Sequence, residues 1–317
     1  MRMSMKIRTW LNVTIPSLIA FAIAVASLVG FFSLNAVIKY WEKTYASSEA
    51  KFIERQIYHE QEKAMMIIDT LLNDENVVRA FAQKDRDLLI SHVMRYHTFY
   101  SLHYDLFQIH FHTPEAVSFL RTSDLSKFGD DLKSYRKDVL HVIATKQPTF
   151  STGVGRMGAM IRYIAPVFYE GEYVGSVEAN INFATSFAKK LHGDAIVRVF
   201  YNEKGERVDI VSRSRDDVED FTAIYKLDEL LQGHTLTLVR GKYAYIAIPI
   251  KDFEGKTYAG VFLRTSVEQI QRFRVLMILL QFLVTIIFMA VILIFSHRIG
   301  MKLQKRIQEV EKLLNSI

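Results

Sequence analysis

The sequence contains no cysteine, only five prolines, 14 glycines and two tryptophans among 317 residues. The absence of cysteine excludes a disulfide scaffold and a cysteine-ligated zinc or iron–sulfur protein. The scarcity of glycine and proline excludes a collagen-like chain. With 50% hydrophobic and 23% charged residues, the chain is also not intrinsically disordered. Its length suits about two domains of roughly 150 residues each.

Two long stretches of the sequence carry no charge. Leu11 to Leu34 is 24 residues of mostly aliphatic side chains, and Val275 to Phe295 is interrupted only by Gln281 and Thr285. As helices at roughly 1.5 Å per residue, both are long enough to span a bilayer. A cleavable signal peptide is the alternative for the first run, but its apolar core would be only about 7–15 residues long. We therefore predict two transmembrane helices.

Basic residues flank both runs on the side facing a chain terminus. They are Arg2, Lys6 and Arg8 before the first run, and Arg298, Lys302, Lys305 and Arg306 after the second. The positive-inside rule then places both termini in the cytoplasm. The intervening 240 residues are expected outside the cytoplasmic membrane, in a periplasm or its equivalent, where nucleic acid is not a partner.

The outer block changes from helical to alternating periodicity near Tyr104. Residues 35–104 contain neither glycine nor proline and predict a long amphipathic helix followed by a shorter one. In residues 105–112, Phe107 and its apolar neighbours alternate with Gln108, His110 and His112, as in a half-buried strand. Further strands are predicted around a helix at 131–145, with residues 159–169 and 172–183 forming a hairpin.

An internal repeat is the most informative pattern. Pro166, Gly171 and Gly175 of the hairpin return in the same order as Pro249, Gly255 and Gly260, with one extra residue in the turn and one in the next strand. An alternating strand precedes each copy. Two similar antiparallel α+β modules in tandem explain this duplication.

This organisation resembles the double Cache (dCACHE) sensor region of bacterial transmembrane receptors. The resemblance rests on the span, long helix, duplicated module and second span, and on the segments 110–114, 118–121 and 128–132 with Arg136. It implies an α+β fold in which two transmembrane helices flank a long stalk helix and two antiparallel-sheet Cache modules. The predicted parts are a cytoplasmic N-terminus (1–10), a first transmembrane helix (11–34), a stalk and long helix (35–103), a membrane-distal module (104–191), a membrane-proximal module (195–272), a second transmembrane helix (275–296) and the start of a cytoplasmic coiled coil (297–317).

The resemblance also implies that a small ligand binds the distal module, on the sheet face opposite the long helix. Alternation places Ser176, Glu178 and Asn180 on that face. Asn180 stands where amine-binding relatives carry an aspartate, and this departure argues against an amino-acid ligand. The predicted ligand-binding residues are Arg162, Tyr163, Glu178, Asn180, Arg121, His110, His112 and Ser176.

The arginines suggest an anionic ligand. Arg162 and Arg121 offer planar forks suited to a carboxylate or phosphate, with Tyr163, Glu178 and Asn180 orienting it. The alternative is that Arg162 and Glu178 form a structural bridge across the hairpin. Hairpin register is open at this point, because a two-residue turn opposes Tyr163 to Glu178 and a three-residue turn opposes Arg162 to Asn180.

Other chemistry finds little support. His110 and His112 would bind a metal only if a carboxylate such as Glu178 approached, and half-exposed strand histidines are much commoner, so no metal is predicted. The Gly153–Gly158 segment matches a dinucleotide-binding pattern outside a βαβ unit, and we interpret it as a flexible loop beside the pocket. We find no catalytic motif, and we predict neither an enzyme nor a cofactor.

The C-terminal segment predicts how a signal is passed on in the cytoplasm. Leu303, Ile307, Val310, Leu314 and Ile317 follow the seam of a parallel coiled coil, with a membrane-surface helix as the alternative. The expected protein is a homodimeric sensory receptor of a bacterial inner membrane, either part of a longer receptor or acting through a partner receptor or downstream signalling protein. The alternative is a membrane-anchored binding or scaffolding protein without output.

Overall fold

A computed structural model describes residues 14–155, 158–202 and 205–314. The chain divides at Lys43/Thr44 and at Ser266/Val267 into two compact units. The helices are α1 (Ile15–Leu72), α2 (Glu75–Ala82), α3 (Arg86–Tyr104), α4 (Lys137–Thr145), α5 (Phe183–Lys190), α6 (Leu227–Leu231) and α7 (Glu268–Leu314), and a 3₁₀ turn covers Thr222–Ile224. The strands are β1 (Leu106–His112), β2 (Ser118–Arg121), β3 (Thr149–Gly155), β4 (Gly158–Tyr169), β5 (Glu172–Asn182), β6 (Asp194–Tyr201), β7 (Arg207–Arg213), β8 (Leu236–Arg240), β9 (Tyr243–Lys251) and β10 (Thr257–Ser266).

One unit contains the first part of α1 and all of α7. Both helices are long and apolar enough to cross a membrane, and none of the residues in their most apolar stretches is buried within the chain. An apolar helix that no protein covers is expected to face lipid. Polar side chains join the two helices: Ser27 Oγ lies 2.6 Å from Thr285 Oγ1, and Gln281 Nε2 donates to the Ser27 carbonyl at 2.6 Å.

The helix that contains the first predicted span continues well beyond it. Within the predicted stalk at 35–103, α1 ends at Leu72 and two further helices follow, each beginning after an aspartate. The Asp74 and Asp85 side chains accept hydrogen bonds from the backbone N–H groups of Asn76 and Leu88. These N-caps explain why new helices begin there. The predicted N-terminus and Ile317 of the coiled-coil seam lie outside the described residues.

The other unit contains two five-stranded antiparallel sheets. Their strand orders are β2-β1-β5-β4-β3 and β7-β6-β10-β9-β8, so the second sheet repeats the connectivity of the first. The duplicated hairpin is β4–β5 in one sheet and β9–β10 in the other. This repetition confirms the tandem α+β architecture predicted from the sequence.

The sheet of strands β1 to β5, which we call the distal sheet, has one apolar and one polar face, as the alternation in β1 and β5 predicts. On the apolar face, Phe111 contacts Phe81 of α2, with ring centroids 4.9 Å apart and the rings tilted by 55°. On the polar face, Val139 and Val142 of α4 pack in a cluster with Ile164 of β4. The polar side chains of this face are therefore enclosed between the sheet and a short helix.

The glycine-rich segment differs from its predicted loop. Gly153–Gly155 belong to β3 and Gly158 begins β4, with Gly155 opposite Gly158 in the ladder. The glycines of this segment therefore belong to two paired strands, and its residues 156 and 157 lie outside the described residues.

Candidate functional site

The pairing register of the distal sheet places polar residues of β2, β1 and β5 side by side. His110 lies opposite Arg121 and Glu178, and His112 lies opposite Ser118 and Ser176. Directly opposed residues in an antiparallel ladder share a face, so side chains from three strands meet beneath α4.

The β4–β5 hairpin resolves the register that the sequence leaves open. Its turn has two residues, Glu170 and Gly171, both with positive φ, as in a type I′ hairpin. A bulge between Val167 and Phe168 then shifts the ladder by one residue. Arg162 consequently lies opposite Asn180, although the turn itself is the shorter of the two alternatives.

The main partner of Glu178 is Arg136, which the sequence prediction omitted from the site. The Arg136 guanidinium binds both carboxylate oxygens of Glu178, one of them at 3.2 Å, and it binds Asp138 at 2.9 and 3.1 Å. All three residues are at least 95% buried. In place of the Arg162–Glu178 bridge that the sequence left as an alternative, Glu178 pairs with a residue 42 positions earlier in the chain.

Charge pairing compensates for the burial of these groups. Burial by itself raises the pKa of the Glu178 carboxyl. The Arg136 charge and a hydrogen bond from His110 lower this pKa by more than burial raises it, so it lies well below its usual value. Asp138 follows the same balance: burial raises its pKa, the Arg136 and Arg162 charges lower it, and the result is about 2. Both carboxylates are ionised at neutral pH.

Arg162 stands at the edge of this charged group. Its Nη1 lies 3.8 Å from Asp138 Oδ2, and Ser151 Oγ donates to the same oxygen at 2.6 Å. The Arg162 side chain is 9% exposed, which leaves it accessible from a neighbouring cavity.

A cavity of about 70 Å³ opens beside Arg162. Both modules line it: Arg136, Asp138, Ser151 and Arg162 come from the distal module, and residues 252–254 with Tyr258 come from the proximal one. Of the eight predicted site residues, the described lining includes Arg162 alone. A volume of this size holds a few waters or a small organic ion, and it is too small for a nucleotide.

The two histidines are buried instead of half-exposed. His110 and His112 are 1% and 0% exposed, and their rings are 4.1 Å apart. His110 contacts Glu178 Oε1 at 3.3 Å and Ser118 Oγ at 2.8 Å, and His112 contacts Ser176 Oγ at 3.0 Å. Burial lowers the pKa of His110 to about 4, so its ring is neutral at pH 7.

The remaining predicted residues occupy different surroundings. Asn180 Nδ2 donates to Glu178 at 2.8 Å and so belongs to the charged group. Arg121 forms a bidentate pair with Asp130 at 2.6 and 2.8 Å. Tyr163 lies opposite Ala179 on the apolar face, 4.7 Å from the Phe150 ring, and is therefore separated from Arg162 by the sheet.

A signal for the missed residues was present in the sequence. The buried positions of α4 are Asp138, Val139 and Val142, so a carboxylate occupies the apolar stripe of an amphipathic helix. A charge in that stripe requires a buried partner of opposite sign. Arg136, two residues earlier, is that partner.

The proximal module has a cleft of its own. It measures about 590 Å³ and is lined by Arg198, Asp209, Asp220, Tyr225 and Phe262, among others. Arg198 binds Asp209 at 2.7 Å and Asp220 at 2.8 Å, and both carboxylates are partly solvent-exposed. Surface ion pairs of this kind are common and do not by themselves indicate a ligand.

Comparison with known proteins gives one family match. The family described as the double sensory domain of two-component sensor kinase, dCache_3, matches residues 42–200. No curated protein matches the chain.

Three solved structures are among those to which the chain is similar. The periplasmic domain of Vibrio cholerae LuxQ is 10% identical, with 71% of this chain and 99% of that chain covered and a TM-score of 0.48. The V. cholerae histidine kinase DctB sensor domain is 13% identical, with 74% and 99% covered and a TM-score of 0.45. The sensory domain of the Campylobacter jejuni chemoreceptor Tlp3 is 11% identical, with 74% and 99% covered and a TM-score of 0.35.

Proposed function

Because this chain belongs to the family of double sensory domains of two-component sensor kinases, we propose that it is a transmembrane receptor for a small extracytoplasmic ligand. In this proposal the spans are residues 11–34 and 275–296, and modules 104–191 and 195–272 stand outside a bacterial inner membrane. The ligand binds the distal module at its junction with the proximal one, and two copies of the chain pair as a homodimer.

The observation that carries the proposal is the cavity beside Arg162. Arginine is always charged and presents a fork that matches a carboxylate. Among the described residues that line the cavity, the charges balance, since Arg136, Lys137 and Arg162 are opposed by Asp138, Asp252 and Glu254. A second negative charge on the ligand would be repelled by these carboxylates. A small monocarboxylate therefore fits the site better than a dicarboxylate.

A ligand in this position offers a route to signalling. The cavity is lined by both modules, so a ligand that contacts both stabilises one arrangement of the modules over another. Transitions of this kind move helices by about 1–2 Å. We propose that such a shift passes through the membrane helices to the cytoplasmic side.

The test uses the full chain in detergent micelles and a library of small mono- and dicarboxylates. A bound ligand raises the thermal midpoint in proportion to the logarithm of its excess over Kd. We expect Arg162→Ala to weaken binding of the best monocarboxylate at least about tenfold, as loss of a charge-assisted hydrogen bond predicts. The matched control is Arg240→Ala, an exposed arginine of the proximal module. Unchanged affinity in folded Arg162→Ala would assign this residue a structural role and refute the proposed site.

A further inference from the structure

A second cluster of polar side chains lies deeper in the distal module than the cavity. His110, His112 and Glu178 are each at most 1% exposed, and one ligand-type atom from each lies within 4.8 Å of the others. The proposed monocarboxylate site does not use the two histidine rings, so they have no role in the function described above.

The rings are oriented by hydroxyl groups on their outer sides. Ser118 Oγ contacts Nε2 of His110 at 2.8 Å, and Ser176 Oγ contacts Nδ1 of His112 at 3.0 Å. The other nitrogen of each ring faces Glu178: His110 Nδ1 is 3.3 Å from Oε1, and His112 Nε2 is 3.9 Å from Oε2. Histidines that bind metals are typically oriented in this way, by a hydrogen bond from the nitrogen that does not bind.

One of the inward-facing nitrogens has no hydrogen-bond partner. His112 Nε2 is fully buried and makes no hydrogen bond with any described residue. Leaving a buried polar atom unsatisfied costs about 1–3 kcal/mol. A ligand between the three side chains would satisfy this nitrogen.

The carboxylate is supported in the same manner. Arg136 and Asn180 both donate to Glu178, and the Arg136 charge is in turn balanced by Asp138. Ligating carboxylates are commonly hydrogen-bonded from outside, which fixes their orientation. Oε1 of Glu178 already accepts from His110, Arg136 and Asn180, whereas Oε2 accepts from Arg136 alone among the described residues and so retains a lone pair for a cation.

We propose that His110, His112 and Glu178 bind a divalent transition-metal ion of the zinc class. Two imidazoles with one carboxylate suit zinc and its neighbours, whereas magnesium and calcium prefer oxygen ligands alone. Zinc–ligand bonds of about 2.0–2.1 Å place tetrahedral ligand atoms about 3.3 Å apart, so small side-chain rotations close the present spacing.

Arg136 lies between the cavity and the proposed metal site, because it lines the cavity and also binds Glu178. In this proposal the metal enters from the cavity when the Arg136 side chain moves aside. Water from the cavity would complete the coordination, because three protein ligands leave at least one position open.

The experiment titrates the full chain, purified without a histidine tag, with Zn²⁺ and with Co²⁺. Wild type should bind one equivalent, and X-ray absorption of the zinc-loaded protein should show two imidazole ligands. His112→Ala should weaken binding at least about 100-fold, and Ser176→Ala about 10–100-fold through loss of ring orientation. The matched control is His234→Ala, an exposed histidine of the proximal module, which should bind as wild type does.

Two results would overturn the metal site. One is the absence of stoichiometric binding by folded wild type, and the other is a zinc-loaded spectrum without two imidazoles. Both are measured on wild type, so neither depends on a variant that folds. The zinc titration contains no carboxylate ligand and the carboxylate screen contains no added zinc, so the metal site and the monocarboxylate site can fail independently.

Discussion

At the scale of single residues, the distal module depends on charges that the chain brings together from distant positions. Arg136 binds Glu178 and Asp138, and none of the three is more than 5% exposed. A buried ion pair adds little net stability by itself, but removing one member leaves an uncompensated charge in the interior. The main effect of this network on stability is therefore the loss that follows when one of its members is removed.

The first prediction concerns Arg136. We expect Arg136→Ala to lower the free energy of unfolding by about 3–5 kcal/mol, because Glu178 and Asp138 both lose their main cation. Chemical denaturation of the full chain measures this change. The neighbouring Lys137 is exposed, and Lys137→Ala should stay within about 0.5 kcal/mol of wild type. Equal effects of the two substitutions would contradict the assigned network.

The second prediction concerns acid. The pKa of Asp138 is lowered from 3.8 to about 2 in the folded state, so the unfolded chain binds more protons between these values. This carboxylate contributes stability above pH 3.8, and the contribution disappears as pH falls through 2. The linked free energy is on the order of 2 kcal/mol.

Thermal midpoints between pH 2 and 5 test this prediction. Asp138→Asn should reduce the slope of stability against pH in that range, because it removes one proton-linked group. Asp216→Asn, at an exposed position, should leave the slope as in wild type. Parallel slopes for Asp138→Asn and wild type would show that Asp138 is not the titrating group.

At the scale of elements, one glycine determines how closely two strands pair. Gly175 of β5 has φ +141°, and a Cβ there would lie 2.3 Å from the His112 carbonyl oxygen of β1. Gly171 in the preceding turn has φ +84°, with no heavy atom within 4 Å of such a Cβ. The two positions therefore separate steric conflict from backbone strain.

The third prediction compares alanine at these two glycines. Gly171→Ala should cost about 1–2 kcal/mol, the usual strain of a left-handed residue with a Cβ. Gly175→Ala should cost clearly more, since the β1 backbone must also move away. Denaturation midpoints of both variants provide the measurement. A smaller loss for Gly175→Ala than for Gly171→Ala would mean that the close approach of β1 and β5 is absent.

At the scale of the whole molecule, polar contacts join α1 and α7 within the unit of residues 1–43 and 267–317. Ser27, Gln281 and Thr285 contact one another, and a Cβ at Gly30 would lie 2.8 Å from Gln281 Nε2. Small residues and interhelical hydrogen bonds are what pack helices in lipid, where the hydrophobic effect offers no preference between neighbours.

The fourth prediction uses the absence of native cysteine. The double variant Ser27→Cys with Thr285→Cys should form an intramolecular disulfide under mild oxidation, because the native oxygens are only 2.6 Å apart. Phe21→Cys with Phe288→Cys, both at exposed positions, should not form one within the chain. Gel mobility with and without reductant distinguishes the species. Failure of the first pair to cross-link would contradict the packing of α1 on α7.

The same variant tests transmembrane signalling. If a bound monocarboxylate shifts the helices, the rate of Ser27–Thr285 cross-linking should change on adding the ligand. A constant rate at this and neighbouring positions would instead favour a membrane-anchored binding or scaffolding protein.

Much of this architecture could be predicted from the sequence, because it depends on the periodicity of neighbouring residues. The uncharged runs predict the apolar helices, alternation in residues 105–112 predicts β1 and its two faces, and the repeated Pro, Gly and Gly predict two similar modules. Each depends on residues close in sequence, or on a comparison of the chain with itself, and so needs no knowledge of packing.

The tertiary structure alone decided the composition of the site. A bulge after the two-residue turn set Arg162 opposite Asn180, and Arg136 reached Glu178 through the fold of the segment between them. Tyr163 went to the apolar face, and the cavity formed where two modules meet. These outcomes depend on register and on contacts between distant segments. A one-residue shift in pairing reverses every face of a strand, and no local pattern in the sequence records that shift.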